Sequence, residues 1–269
     1  MEEIHQIREK FTFILPAYKA EYFKDALQSI LNQKYDHFKV IVSDDASPAD
    51  LKTIVDSFND GRIDFRRNPT NIGAENLSRH WNILLEQVES EYVIVASDDD
   101  LYHPEFLSTM DILSEKYPAV GLIRARSEVI DANGKTIRIE KERDEFFSIG
   151  CFIRSLLDSD SVLCIGNYVF KTAELKEQGG FFTLPYAWKS DTATQVIAGR
   201  NGVVNSSRPL FSFRMSGLNI SSGKEKDYKK DRMKLESLLR FNDFMDPMIH
   251  KYLPQNEADQ LASAFKKRL

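Results

Sequence analysis

The chain has 269 residues, 42% of them hydrophobic, and a formal net charge of −5. That is enough apolar content for one large domain, or for a domain with an appended tail, and the acidic balance excludes a general nucleic-acid-binding role. Two cysteines, Cys151 and Cys164, cannot build a disulfide scaffold, so a reducing cytoplasm is the expected setting.

The start, MEEIHQIREK, is too polar for a signal peptide. No run approaches the roughly 18 apolar residues that span a bilayer. The expected location is cytoplasmic, with peripheral contact on the inner face of the membrane as the alternative. Three Asn-x-Ser/Thr triplets (Asn76, Asn205, Asn219) carry no weight without secretion.

Strands and helices alternate through the first 120 residues. FTFIL (11–15) reads as a strand. Residues 20–32 read as a helix with Phe23, Leu27, Ile30 and Leu31 on one face. FKVIV (38–42) is a second strand, and Ser47-Pro48-Ala49-Asp50 starts a helix that runs to Phe58. RIDF (62–65), a helix over 75–88, a strand over 92–96 and a helix over 104–117 follow. This order implies right-handed βαβ units and a mostly parallel, Rossmann-like sheet flanked by helices. Beyond residue 120 the pattern changes. Residues 120–130 and 134–140 form a strand pair turned at Asn133-Gly134. Residues 162–170 and 209–214 are further strands, with a helix over 191–198 between them. From Lys224 a charged, helical tail is expected, with Leu235, Leu238, Leu239, Met245, Met248 and Ile249 at spacings of three and four.

The segment EYVIVASDDDLYHPEFL puts Asp98, Asp99 and Asp100 on a strand-to-helix loop, the edge of an α/β sheet where ligands bind. Three packed like charges are explained by a neutralising cation, and oxygen-only ligands suit Mg²⁺ or Mn²⁺ shared with substrate phosphates. An acidic loop that is merely solvated is the bland alternative. No G-x-G-x-x-G follows the first strand and no P-loop occurs, so a metal can take their place in holding phosphates. Asp44-Asp45 after the second strand and the aspartates after the fourth put acids at two adjacent strand ends. Unpaired carboxylates are costly in a core.

Three segments, ILPAYKAEYFKDALQSILNQKYDHFKVIVSDDAS, NIGAENLSRHWNILLEQVESEYVIVASDDDLYHPEFL and GGFFTLPYAWKSD, together resemble a family 2 glycosyltransferase of GT-A fold over about residues 11–220. The resemblance implies inverting transfer from a nucleotide-diphospho-sugar, a UDP-sugar being favoured, to a glycan or lipid-linked saccharide acceptor. It implies a donor site at Pro16, Tyr18, Asp45, Asn82, Asp98 and Arg214. Asp99 and Asp100 would carry the Mn²⁺ or Mg²⁺, and Asp191 would be the general base. Tyr186 and Trp188 are acceptor-side candidates, for stacking on sugar or for packing. The sequence departs from the family pattern where Ser97 opens the acidic motif, where Ser216 stands in place of a metal-binding histidine, and at the Asn71-x-Gly73 element, which carries one extra residue. Arg79 and His80 are given no role. Trp81 reads as core, Cys164 as a buried strand residue and His103 as a turn residue.

The expected division is a GT-A domain over 1–223, with a nucleotide half (about 11–120) and a smaller antiparallel acceptor half (121–223), then a helical extension over 224–269. Homodimerisation and peripheral membrane contact are candidate associations. A sugar nucleotidyltransferase would need a glycine-rich, basic loop that PAYKAEYF lacks. A non-catalytic nucleotide-sugar-binding protein would need no base.

Overall fold

The computed structural model describes residues 9–217 and 227–267. The first eight residues, the triplet at Asn219 and the predicted tail start at Lys224 lie outside the described residues.

β1 (Phe11–Ala17) is central. Alternation sends Phe11, Phe13 and Leu15 to one face of the sheet and Ile14 to the other. β2 (Phe38–Asp44) and β3 (Ile63–Arg67) continue the sheet in parallel on one side, and β4 (Tyr92–Val95) lies on the other. The helices between them are α1 (Phe23–Leu31), α2 (Leu51–Asp56) and α3 (Leu77–Leu85). α2 starts later than expected. Asp50, not Ser47, caps it by accepting from the Thr53 N–H at 3.1 Å, while the Ser47 hydroxyl donates to the Tyr18 carbonyl at 2.6 Å.

The order β3-β2-β1-β4 reverses at β1, which opens a crevice beyond the carboxyl ends of β1 and β4. It also corrects one expectation: β1 lies between the two acidic strand ends, so they are not adjacent.

Then come β5 (Leu101–Tyr102), α4 (Phe106–Lys116), β6 (Leu122–Asp131), β7 (Thr136–Ile139), β8 (Phe146–Phe147), α5 (Ile149–Ser155), β9 (Tyr168–Lys171), α6 (Thr172–Glu177), α7 (Ser190–Ala198) and β10 (Val203–Met215). The sheet continues β9-β6-β10-β5 beyond β4. Its longest pairings are parallel, with antiparallel pairs of β9, β7, β8 and β5 added. The β6–β7 pair turns as expected at Asn133-Gly134, with Gly134 at φ 82. The predicted strand over 162–170 is mostly not one. Only its end pairs, as β9, and residues 162–167 form a loop.

α8 (Tyr228–Tyr252) and α9 (Gln255–Lys266) close the chain. Phe241, Met245, Ile249, Ala258, Ala262 and Phe265 share a buried cluster with Phe152 and Ile153 of α5 and with Val93 and Val95 of β4. Leu235 and Leu239, on the predicted apolar face, are each 50% exposed.

Candidate active site

The crevice at the strand ends opens into a cavity of about 660 Å³. Pro16, Tyr18, Asp45, Asp98, Asp99, Asp100, Tyr186, Trp188 and Asp191, dispersed in sequence, all line it. Two expected donor residues do not. Asn82 is a latch in α3: its amide nitrogen donates to the Phe181 carbonyl at 2.8 Å and its oxygen accepts from the Phe181 N–H at 2.7 Å. Arg214 is buried behind the aspartates. Its Nε donates to the Asp99 carbonyl at 2.8 Å, Nη1 reaches the Ala132 carbonyl at 3.2 Å, and the guanidinium lies 4.4 Å from the Tyr22 ring centre.

The strand ends hold their acids by hydrogen bonds. Asp98 Oδ2 accepts from the N–H groups of Tyr18 and Lys19 at 3.0 and 2.9 Å, which joins the ends of β1 and β4 across the crevice. Asp45 Oδ1 accepts from Asn68 Nδ2 and the Ile72 N–H, both at 2.8 Å, and Oδ2 accepts from the Gly73 N–H at 3.0 Å. The 68–73 loop is thereby folded against the cavity wall. Asp44 faces the other way, paired with Arg67 and capping the Ser47 N–H at 2.7 Å.

The three aspartates do not converge. Among the described residues, no three His, Cys, Asp or Glu side chains form a ready metal cage. Hydrogen bonds turn two of the aspartates apart. Asp98 turns to β1, and Asp100 accepts from the Ser97 hydroxyl at 2.6 Å and the Arg214 N–H at 2.9 Å. Burial, then the neighbouring Asp99, pushes the Asp100 carboxyl up to about 8. Asp100 thus lines the cavity with its carboxylate engaged by Ser97 and by the Arg214 N–H. Asp99, beside it, is a carboxylate suited to a cation. It lines the cavity, and burial followed by the Asp98 charge holds its carboxyl above the usual range, a repulsion that a divalent ion would relieve. Such oxygen ligands fit an ion whose remaining positions are filled by water and a diphosphate.

Asp191 lies in the first turn of α7. Its Oδ1 accepts from the Thr192 N–H at 2.7 Å, and burial raises its carboxyl against the lowering effect of Lys189. The preceding loop is strained. Tyr186, Ala187 and Lys189 have φ of 56, 52 and 70, left-handed values that non-glycine residues rarely adopt.

The sequence reading missed part of the wall. Leu163, Cys164, Ile165 and Gly166 line the cavity, so Cys164 belongs to a loop and not to a strand. That loop hangs on a buried ion pair, Arg124–Glu140, whose Glu140 carboxylate also accepts from the Val162 N–H at 2.5 Å. Charged residues inside the otherwise apolar 120–140 stretch were the available signal. His80, given no role, lines the cavity with its Nε2 2.8 Å from Ser43 Oγ. Trp81 is core as expected, packed edge-on against Phe181 at 5.7 Å between ring centres, and it also reaches the cavity wall. Arg79 is exposed and away from the cavity.

In an α/β sheet, a crevice at the switch point is where ligands bind, and here acids line it. Residues 12–166 match the family described as glycosyl transferase family 2. The chain belongs to that family, and its fold is GT-A. Its fold is similar to that of TarS from S. aureus in complex with UDP-GlcNAc, at 19% identity and a TM-score of 0.72, covering 96% of this chain and 72% of that one. It is also similar to the mannosyltransferase PcManGT from Pyrobaculum calidifontis in complex with GDP-Man and Mn²⁺, at 17% identity and a TM-score of 0.57, covering 96% and 74%. A teichoic acid poly(glycerol phosphate) polymerase of Staphylococcus epidermidis is 28% identical over 176 residues, 61% of this chain and 22% of that protein. The chain spans between 21% and 56% of the length of the curated relatives it matches. No described helix is long and apolar enough to cross a membrane.

Proposed function

We propose that the chain moves a sugar from a nucleotide-diphospho-sugar, a UDP-sugar by preference, to a hydroxyl of a glycan or lipid-linked saccharide, with inversion. The observation that carries this reading is the single cavity joining Asp45, Asp98 and Asp99 at the strand ends to Asp191 and the Tyr186–Trp188 loop. The base and ribose lie against Tyr18, Asp45 and Asp98, where Tyr18 is 45% exposed and offers a ring face for stacking. Asp99 and Asp100 would hold a divalent ion, which would supply charge stabilisation to the leaving diphosphate. Asp191 accepts the proton of the acceptor hydroxyl as its oxygen bonds to the anomeric carbon. The bond to the diphosphate oxygen breaks with its electron pair leaving on that oxygen. General-base help of this kind contributes about 10²–10⁴-fold. Residues 1–223 form the transferase unit on this reading, and 224–269 are an extension whose helices α8 and α9 pack on it.

The test is calorimetric titration of UDP, GDP, CDP and dTDP, each with and without Mn²⁺. UDP should bind, and more tightly with the ion. If none of the four binds in either condition, the donor site is misassigned and the role of Asp191 falls with it.

A further inference from the structure

Lysines gather at the Tyr186–Trp188 loop of the cavity wall. Lys189 lines the cavity itself. Lys234 Nζ stands 4.2 Å from the ring centre of Trp188, and Lys230 Nζ stands 5.9 Å from that of Tyr186. Both rings line the cavity. The two lysines come from the first half of α8, which is fixed to the same loop by the Ser237 hydroxyl donating to the Pro185 carbonyl at 2.9 Å. Between residues 228 and 240 there are five basic residues (Lys229, Lys230, Arg232, Lys234, Arg240) against two acidic ones (Asp231, Glu236), in a chain of net charge −5. Glu75 offsets Lys229 at 2.6 Å. A neutral sugar is served by aromatic faces and hydroxyl partners. Ammonium groups seated on those same rings add a recognition element for negative charge.

We infer that Lys189, Lys230 and Lys234, with Tyr186 and Trp188, form an acceptor subsite for a saccharide chain that bears phosphate or carboxylate groups. The inference rests on the transferase reading above. The rings stack on sugar while the ammonium groups meet the acid, next to the Asp191 carboxylate that takes the hydroxyl proton. α8 also exposes Tyr228, Leu235 and Leu239, a surface that an anionic membrane could cover. The acceptor is favoured because the ammonium groups of Lys230 and Lys234 stand over rings that line the cavity.

The test measures binding of trigalacturonate, maltotriose 6-phosphate and neutral maltotriose to the UDP-loaded protein at low and high salt. In parallel, the free protein is mixed with phosphatidylglycerol vesicles. The charged probes should bind about tenfold more tightly than maltotriose, a difference of roughly 1.4 kcal/mol, and should lose that advantage in salt. Lys230→Gln with Lys234→Gln should abolish the preference and leave UDP affinity within about twofold. The paired arginine variants should retain the preference. Whichever acid binds better assigns the acceptor group. Equal binding of charged and neutral probes overturns the inference. So does a parallel loss of UDP affinity, which gives the lysines to the donor diphosphate, or a loss confined to vesicle binding. Failure of UDP to bind the unmodified protein sinks the transferase reading itself; UDP binding without anion preference sinks only the subsite.

Discussion

Replacing Glu140 by leucine removes the counter-charge of a guanidinium that cannot reach water: Arg124 is 3% exposed and Glu140 1%. The lost carboxylate accepts three bonds, from Arg124 Nη2 and the Val162 N–H at 2.5 Å and from the Ser127 N–H at 2.9 Å. Orphaning one member of a buried pair costs about 3–5 kcal/mol. Each stranded buried N–H adds about 1–3 kcal/mol where water cannot reach it. For a chain of this size a loss of about 5 kcal/mol, the low end of that sum, lowers Tm by roughly 10–20 °C. The double variant Arg124→Met/Glu140→Leu separates the two costs. It removes the orphaned charge and keeps the stranded N–H groups, so it should recover about 3–5 kcal/mol over the single variant while remaining below the parent. Urea unfolding with matched m-values measures both. A double variant no more stable than Glu140→Leu would refute the assignment of the cost to the buried charge.

Asp191→Asn should lower kcat by about 10²–10⁴-fold and leave nucleotide affinity unchanged, read by steady-state kinetics beside calorimetry. Because burial raises the Asp191 carboxyl, kcat should climb with pH along a limb above the ordinary aspartate range, and a limb near pH 4 would count against it. The same raised group binds its proton more tightly when folded, so its stabilising contribution is full below the unfolded value and fades as pH rises through the folded one. Gly180→Ala should destabilise by about 2–4 kcal/mol, since φ is +82 and the new Cβ would stand 2.4 Å from Asn82 Oδ1. Gly179→Ala, at φ +90 with nothing within 4 Å, should cost only the strain, about 1–2 kcal/mol, and equal losses in thermal melts would refute the latch.

The first four parallel strands were legible because each is a short apolar run closed by polar residues, and helix α1 because its buried residues keep one face. The strand ends were legible for the same reason: Tyr18, Asp45 and Asp98 sit where apolar runs stop. What the chain does not announce is which polar atom another segment will use. Asn82 reads as a free amide in a helix, but a turn 99 residues away consumes it. Residues 162–167 have strand composition, but Gly166 lies under Phe211, whose ring would stand 2.8 Å from an added Cβ, and the Glu140 carboxylate pulls Val162 out of line. Three consecutive aspartates suggest convergence, while the hydrogen-bond donors around them, 80 and 114 residues off, turn two of them apart.

The left-handed residues before α7 set folding stability and acceptor geometry against each other. Tyr186, Ala187 and Lys189 each hold a conformation that costs a non-glycine side chain on the order of 1–3 kcal/mol, and two of the three side chains, Tyr186 and Lys189, belong to the inferred subsite. Glycine would relax that backbone and, at those two positions, delete the recognising group. A laboratory selection for heat resistance alone would therefore erode this loop first, yielding tougher proteins that have forgotten their acceptor.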